Sequence, residues 1–270
     1  MQIKFWGVRG STPTPQVENL RYGGNTPCVE VRVNGRIYVF DCGTGFRILG
    51  KELMREFAGG PIQAHVFLSH FHWDHIQGIP FFAPLYDRHS SFVFHSSDRA
   101  GGLRATLEQH MADPFFPVNM TEMAARRSFH SIAEGRTAFD DCAVDSLWLN
   151  HPQGCLGFRV EAGNSVLAYA TDNEPGDPVF DKAVRRLAQD ADVLIYDAQY
   201  LPEEFASHRG WGHSHWREAI AVARQCQVKH LVLFHHDPDH SDECIDRLLE
   251  QAQQHFSRVS AAAEGMALEL

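Results

Sequence analysis

No stretch of this 270-residue chain carries the run of about 20 apolar residues that a membrane-crossing helix needs. Its first residues, Met1 to Trp6, lack the apolar core of a signal peptide. These two absences make a cytoplasmic protein with no membrane partner the expectation. Basic excess is missing as well: 24 Lys and Arg stand against 34 Asp and Glu, a formal net charge of −10. Proteins that grip a nucleic-acid backbone present a basic surplus, so a long nucleic acid is not the expected partner. A small anionic substrate remains compatible, because a metal ion can offset its charge locally. The cysteines Cys28, Cys42, Cys142, Cys155, Cys226 and Cys244 form no C-x-x-C pair, which excludes a cysteine-rich zinc site and a thioredoxin-type redox motif. They are expected to be small buried apolar groups in a reducing compartment. No internal repeat, low-complexity tract or linker-like composition break interrupts the chain. With 44 % apolar and 21 % charged residues, it reads as one globular α/β domain over residues 1–270. The last dozen residues, small and weakly patterned, are expected to be a frayed tail.

What the chain has in abundance is histidine, 17 in all, and its densest cluster is Leu68-Ser69-His70-Phe71-His72-Trp73-Asp74-His75. The cluster directly follows an apolar run, His65 to Leu68, that reads as a buried strand. A strand end delivers side chains to one rim of a sheet, and a tight turn can fan His70, His72, Asp74 and His75 around a point. Imidazole nitrogens with an interleaved carboxylate are the ligands that a borderline-soft divalent ion such as zinc prefers. Mn or Fe tolerates the same set.

Taken in order, Gln2 to Trp6 alternates as a first strand. A Gly-, Ser- and Thr-rich loop follows, in which Arg9, Ser11, Asn25 and Thr26 are candidate substrate contacts. Cys28 to Val33 and Arg36 to Phe40 form a hairpin about Asn34-Gly35. A helix runs from Phe46 to about Phe57, then a strand from Ile62 to Leu68. The segments Gly78 to Pro84 and Asp113 to Val118 are aromatic and broken by proline; a flap, a dimer contact or plain core packing would each suit them. Further strands are expected over Phe92–His95, Arg126–His130, Ala143–Asn150, Cys155–Glu161, Ser165–Tyr169, Val193–Tyr196 and Val228–Phe234. Helices are expected over Ala100–His110, Pro178–Gln189, Trp216–Gln225 and Ser241–Phe256. Strand–helix alternation fills the last third, so the class is α/β with helices outside stacked sheets.

Four more polar clusters follow apolar strands: Asn150-His151-Pro152, Thr171-Asp172-Asn173-Glu174, Asp197-Ala198-Gln199-Tyr200, and His235-His236-Asp237-Pro238-Asp239-His240. Catalytic groups gathered at the carboxyl ends of strands are the usual layout of α/β enzymes.

The series His70-x-His72-x-Asp74-His75, then His151, Asp172 and His235, resembles the metal-ligand series of the metallo-β-lactamase superfamily. It spans nearly the whole chain from the Asp41-Cys42-Gly43-Thr44-Gly45 turn. The resemblance implies an αββα sandwich, two mixed β-sheets packed face to face with helices outside, and two divalent metal ions at one edge. It places His70, His72 and His151 on one ion, Asp74, His75 and His235 on the other, and Asp172 between them. Both His235 and His236 could reach a metal; His235 matches the family position. His236, Asp237 and His240 are then candidates for fixing imidazole tautomers. Within the superfamily the chain is similar to the branch of ribonuclease Z and the cyclic-phosphate phosphodiesterases. Trp211-Gly212-His213-Ser214 looks like that branch's Gly-His-Ser segment, whose histidine is a catalytic acid. Asp197-Ala198-Gln199 stands where the branch has an acid-Ala-Thr segment that orients it, with Asp and Gln in place of the usual Glu and Thr. A bland alternative makes His213 an exposed residue before a helix, with Ser214 as the N-cap.

The implied chemistry is hydrolysis of a small phosphodiester, a cyclic nucleotide or cyclic phosphate. Hydroxide held by the metals attacks phosphorus, His213 acts as general acid, Asp197 orients it, and Asp74 helps position the water. A tRNA 3′-endonuclease of ribonuclease Z type is the runner-up, and an acyl hydrolase using the same metals is the reading from another class. The branch's habit of pairing implies a homodimer.

Overall fold

The computed structural model describes residues 1–98 and 101–270. It contains two seven-stranded sheets stacked face to face with helices on both outer faces, the αββα sandwich that the resemblance implies. The first sheet has the order β14-β1-β2-β3-β4-β5-β6. Its strands are β1 (Gln2–Gly7), β2 (Cys28–Val33), β3 (Arg36–Phe40), β4 (Gln63–Phe67), β5 (Ser91–Ser96), β6 (Arg126–Ser131) and β14 (Ala267–Glu269). The second has the order β13-β12-β11-β10-β9-β8-β7. It comprises β7 (Gly135–Ala138), β8 (Ala143–Leu149), β9 (Cys155–Ala162), β10 (Ser165–Ala170), β11 (Val193–Asp197), β12 (His230–Phe234) and β13 (Val259–Ala261). Around them lie α1 (Thr44–Phe57), the single turn α2 (Trp73–Ile76), α3 (Leu103–His110), α4 (Pro178–Ala188), α5 (Trp216–Gln225) and α6 (Asp242–His255).

Side-chain alternation sorts the apolar residues into three layers, as the two-residue period of a strand requires. Phe40, Phe67, Tyr169, Ile195 and Phe234 point into the space between the sheets. Their neighbours Val39 and Val66 point out beneath Phe46, Leu49 and Leu53 of α1. On the other side Leu194 and Leu233 meet Trp216, Ala219 and Ala223 of α5. The helical spacing of those residues puts them on one stripe, so each helix buries one face only. Asn34 and Gly35 both have positive φ, 49° and 82°, the requirement of the two-residue turn that joins twisted strands.

Both sheets aim the same ends at one rim. Strands β3, β4, β5 and β6 run parallel, as do β10, β11 and β12. Strand β8 is antiparallel to β9, which is antiparallel to β10, so β8 ends at the same rim.

One expectation needs correction. The C-terminal dozen residues are not a frayed tail: β14 pairs antiparallel with β1, Gln2 opposite Glu269. The Met1 amino group donates to the Leu270 carbonyl at 2.9 Å. An edge strand leaves a row of unpaired N–H and C=O groups, and the chain's own terminus satisfies them. The strand β7 was not anticipated; it takes its order from seven-residue β8 opposite it. The expected helix start at Ala100 lies outside the described residues, and the helix there is described from Leu103. The cysteines carry free thiols, five of the six buried. Among the described residues no helix is long and apolar enough to cross a membrane.

Candidate metal centre

The rim gathers the polar clusters that follow the strands. Ser69 to His75 follows β4 and runs into α2, His151 follows β8, Asp172 follows β10, Asp197 ends β11 and His235 follows β12. Asp172 and His235 both adopt positive φ, 53° and 60°, a turn that throws each side chain sideways off its strand. Nearly all of these groups are buried: His70 4 %, Asp74 6 %, His75 0 %, Asp172 1 % and His235 0 % exposed.

The donor atoms form overlapping groups: His70, His72 and His151 in one, Asp74, His75 and His235 in another, with Asp172 joining His70 and His75 in a third and Asp197, His213 and His235 in a fourth. His72 Nδ1 lies 3.1 Å from His151 Nε2. His75 Nε2 lies 3.3 Å from His235 Nε2, and each is 3.2 Å from Asp74 Oδ2. Asp172 Oδ2 is 3.3 Å from His75 Nε2 and its Oδ1 is 3.4 Å from His235 Nε2. The same Oδ1 lies 3.8 Å from both His70 Nε2 and His151 Nε2. Bonds of about 2.0–2.1 Å to a tetrahedral ion put its ligand atoms about 3.4 Å apart. The spacing therefore fits a shared cation better than a chain of hydrogen bonds.

The outward nitrogens agree with that fit, since each ring spends its other nitrogen on a fixed partner. His70 Nδ1 meets Ser69 Oγ at 3.0 Å, and His72 Nε2 meets Gln153 Oε1 at 3.1 Å. His75 Nδ1 faces Asp41 Oδ2 at 2.9 Å. His151 Nδ1 donates to the Gly212 carbonyl at 2.9 Å, and His235 Nδ1 donates to Gln199 Oε1 at 2.9 Å. Donors turned outward leave lone pairs turned inward, the arrangement a metal-ligating histidine needs. His70 Nε2 is buried with no hydrogen-bond partner, an orphan that an ion would satisfy. Burial and the neighbouring His75 hold His70 well below its usual pKa, so it offers a neutral lone pair. Burial opposes charge on His235, but Asp172, Asp74 and Asp197 overcome it and push the ring up to about 9. Three buried carboxylates thus create a demand for positive charge at this spot, and a divalent ion would meet it.

Beside these sets, His213 Nδ1 donates to Asp197 Oδ2 at 2.8 Å. Asp197 is fully buried and also accepts from the backbone N–H of Asp172, Gln199 and Ser214. One carboxylate therefore sets the geometry of the His213 segment and of the Asp172 turn together. His213 lines a hollow of about 480 Å³ with Ser11, Phe71, His72, Trp73, Asp74, Gln153 and Asp172. The N-cap of α5 is His215, whose ring accepts from Glu218 N, so the alternative that made Ser214 the cap does not hold.

Of the loop residues expected to meet substrate, only Ser11 reaches the hollow; its N–H donates to Asp74 Oδ2 at 2.8 Å. Arg9 is fully buried, its guanidinium donating to the carbonyls of Gly23, Asp237 and His240. It fastens the loop to the segment after β12. Asn25 holds Glu264 at 2.9 Å, and the Thr26 hydroxyl accepts from Thr44 N at 2.8 Å, capping α1. His236 turns away and donates to the Ala262 carbonyl at 2.9 Å, while His240 meets Glu204; neither orients a clustered imidazole. Asp237 does so at one remove, through Gln199 Nε2 at 3.4 Å.

Sequence reasoning missed Asp41, Ser69, Gln199 and Gly10. Asp41 follows apolar β3 in the manner of the recognised clusters, and that shared position was the available signal. Gly10 passes so close to the site that an added Cβ would sit 2.4 Å from His235 Nδ1.

The sequence profile described as "Beta-lactamase superfamily domain" matches residues 36–236, from the start of β3 to the residue after His235. Ribonuclease Z of Haloarcula marismortui is 26 % identical over 310 aligned residues, covering 98 % of this chain and 96 % of that protein. Among solved structures, the metallo-beta-lactamase fold protein YhfI from Bacillus subtilis aligns with a TM-score of 0.77 at 18 % identity, covering 100 % of this chain and 98 % of that one. A diphosphatase from the PhnP family aligns at 0.73 and 18 % identity, covering 100 % and 97 %. These two structures share the layered fold.

Proposed function

The chain belongs to the beta-lactamase superfamily, and from that premise we propose that it is a dinuclear-metal-dependent phosphodiesterase. Its substrate is a small phosphodiester of the cyclic nucleotide or cyclic phosphate class. The carrying observation is the His213–Asp197 pair standing beside two adjoining sets of inward-facing donors. His70, His72, His151 and Asp172 would hold one ion; Asp74, His75, His235 and Asp172 would hold the other. When bound, such ions supply Lewis-acid charge that activates water and offsets the charge on phosphorus. Zinc suits the imidazole-rich set, and Mn or Fe is compatible with it.

The residues themselves do the rest. Asp197 holds the His213 ring by Nδ1 at 2.8 Å, which turns Nε2 away from the carboxylate. The second proton, on Nε2, can then pass to the oxygen that leaves as the P–O bond breaks. An alkoxide needs that proton; a nitrophenolate leaves without one. Asp74 accepts from Ser11 N and is thereby fixed where it can orient the attacking water.

The small-substrate form of this reading draws on the net charge of −10, and the ribonuclease Z relatives support a second form, tRNA 3′-end cleavage. A panel of cyclic nucleotides, precursor tRNA, bis-p-nitrophenyl phosphate and p-nitrophenyl esters separates the readings. On a cyclic nucleotide, His213→Ala is expected to lose about 10²–10⁴ in turnover while keeping its metals, and to lose much less on bis-p-nitrophenyl phosphate. Loss of metal in that variant refutes the acid role. Processing of precursor tRNA at physiological salt reverses the order of the two phosphodiester readings, and ester cleavage without phosphodiester cleavage replaces both.

A further inference from the structure

A cleft of about 590 Å³ opens on the far side of the Phe71–Trp73 turn from the clustered histidines. Pro80, Phe81, Phe115 and Phe116 form its outer wall, and Phe71 and Trp73 form the wall it shares with the hollow at the metal centre. The two proline-broken aromatic segments thus divide their work: Phe82 is fully buried in the core, whereas Phe81 and Phe115 are 56 % and 78 % exposed. Phe81 and Phe116 meet edge to face with centroids 5.5 Å apart, which gives the wall a defined shape. Trp73, 78 % exposed, is the ridge between the two openings.

Large rings left in water around a concavity mark a ligand surface, and the volume lies within the roughly 300–1,000 Å³ of small-molecule sites. In a chain of net charge −10, no carboxylate among the described residues lines this cleft; the titratable groups among them are Arg47 and His110. Burial pushes the His110 ring down in pKa, so the ring is neutral. Its Nδ1 is buried without a partner among the described residues.

We propose that this cleft receives the organic group of the substrate, and that the group is a flat aromatic ring system of aryl or nucleobase type. It is joined across the Trp73 ridge to the phosphodiester at the metal centre. This deepens the phosphodiesterase reading and rests on it for the position of the phosphate, but the preference for an aromatic ring can be measured without turnover.

Calorimetric titration of the metal-loaded chain with phenylphosphonate and methylphosphonate tests it. The phenyl compound is expected to bind at least about tenfold more tightly, from the apolar area that its ring buries. Phe81→Ser with Phe115→Ser should bring that ratio close to one and leave methylphosphonate binding unchanged. Phe115→Ser alone, at a position 78 % exposed, should lower the ratio in part and guards against misfolding of the double variant. A ratio near one in the unaltered chain overturns the proposal, as does a ratio that neither variant changes. So does a dimer that covers the cleft and comes apart in the double variant. If the ratio holds but no phosphodiester is cleaved, the cleft assignment stands and the phosphodiesterase reading fails; cleavage with no ratio fails the cleft alone.

Discussion

Asp41→Asn should impair metal binding without touching any proposed ligand. The carboxylate is fully buried and every contact it makes is with a donor. Oδ1 accepts from Ser69 N at 2.8 Å. Oδ2 accepts from the Tyr169 hydroxyl at 2.8 Å and faces His75 Nδ1 at 2.9 Å, and the Ser69 hydroxyl reaches both oxygens at 2.9 Å. An asparagine has one oxygen and one NH₂. With the NH₂ toward Ser69 it confronts a backbone N–H. With the NH₂ toward His75 it confronts the imidazole N–H, and the ring escapes only by moving its proton to Nε2, the atom that faces Asp74 and His235. Neither orientation satisfies the site. An unmet buried donor costs about 1–3 kcal/mol, and loss of such an outer partner lowers metal affinity by about 10- to 100-fold. Asp41 sits at φ 61°, a conformation that Asn tolerates as well as Asp, so backbone strain does not confuse the result. Competition with a chromophoric chelator measures the affinity, and thermal melting of the metal-free protein measures the stability. Unchanged affinity for both ions in a folded Asp41→Asn protein would refute the claim that His75 binds through Nε2 under the control of Asp41.

Gly10→Ala places a methyl group against the His235 ring and the Gln199 amide, and should weaken binding of one ion selectively, seen as a drop toward one metal per chain by elemental analysis. A pH effect is expected outside the donor sets. Burial, with His65 and His130 adding to it, pushes His95 down to about 3, below the unfolded value of about 6.5. The unfolded chain therefore binds the extra proton first, and stability that is full above pH 6.5 is lost as pH falls toward 3. Linkage gives about 2 kcal/mol between pH 6.5 and 5. Chemical denaturation should show His95→Phe losing that much less than the parent over the same interval; equal losses would show that His95 is not the group responsible. His65, which touches His95 at 3.0 Å and is also lowered by burial, adds to the parent's slope.

What could be read from the sequence, and what could not, divides along the range of the interactions. The Asn34–Gly35 hairpin and α5 over Trp216–Gln225 were legible because a turn dipeptide and a helical stripe are local patterns. The layered class followed from strand–helix alternation in the last third. The convergence of His70, His151, Asp172 and His235 at one rim could be anticipated because each follows an apolar strand, and parallel strands end together. Strand β14 could not, because its three residues are ordered by hydrogen bonds to β1 at the opposite end of the chain. Arg9 was misplaced for a similar reason. A loop arginine near a site suggests substrate, but the four carbonyls that hold it come from residues 10 to 231 positions away. Ser69 and Gln199 escaped notice because they act on imidazoles rather than on an ion; Asp41 does the same, and only its place after apolar β3 marked it.

The central claim is that two adjoining ions and His213 together cleave a phosphodiester. Its most direct test is the rate of bis-p-nitrophenyl phosphate hydrolysis as metal is added back to the metal-free chain. The rate should climb to a plateau at two equivalents per chain. A plateau at one equivalent, or no phosphodiester hydrolysis at any loading, would contradict it.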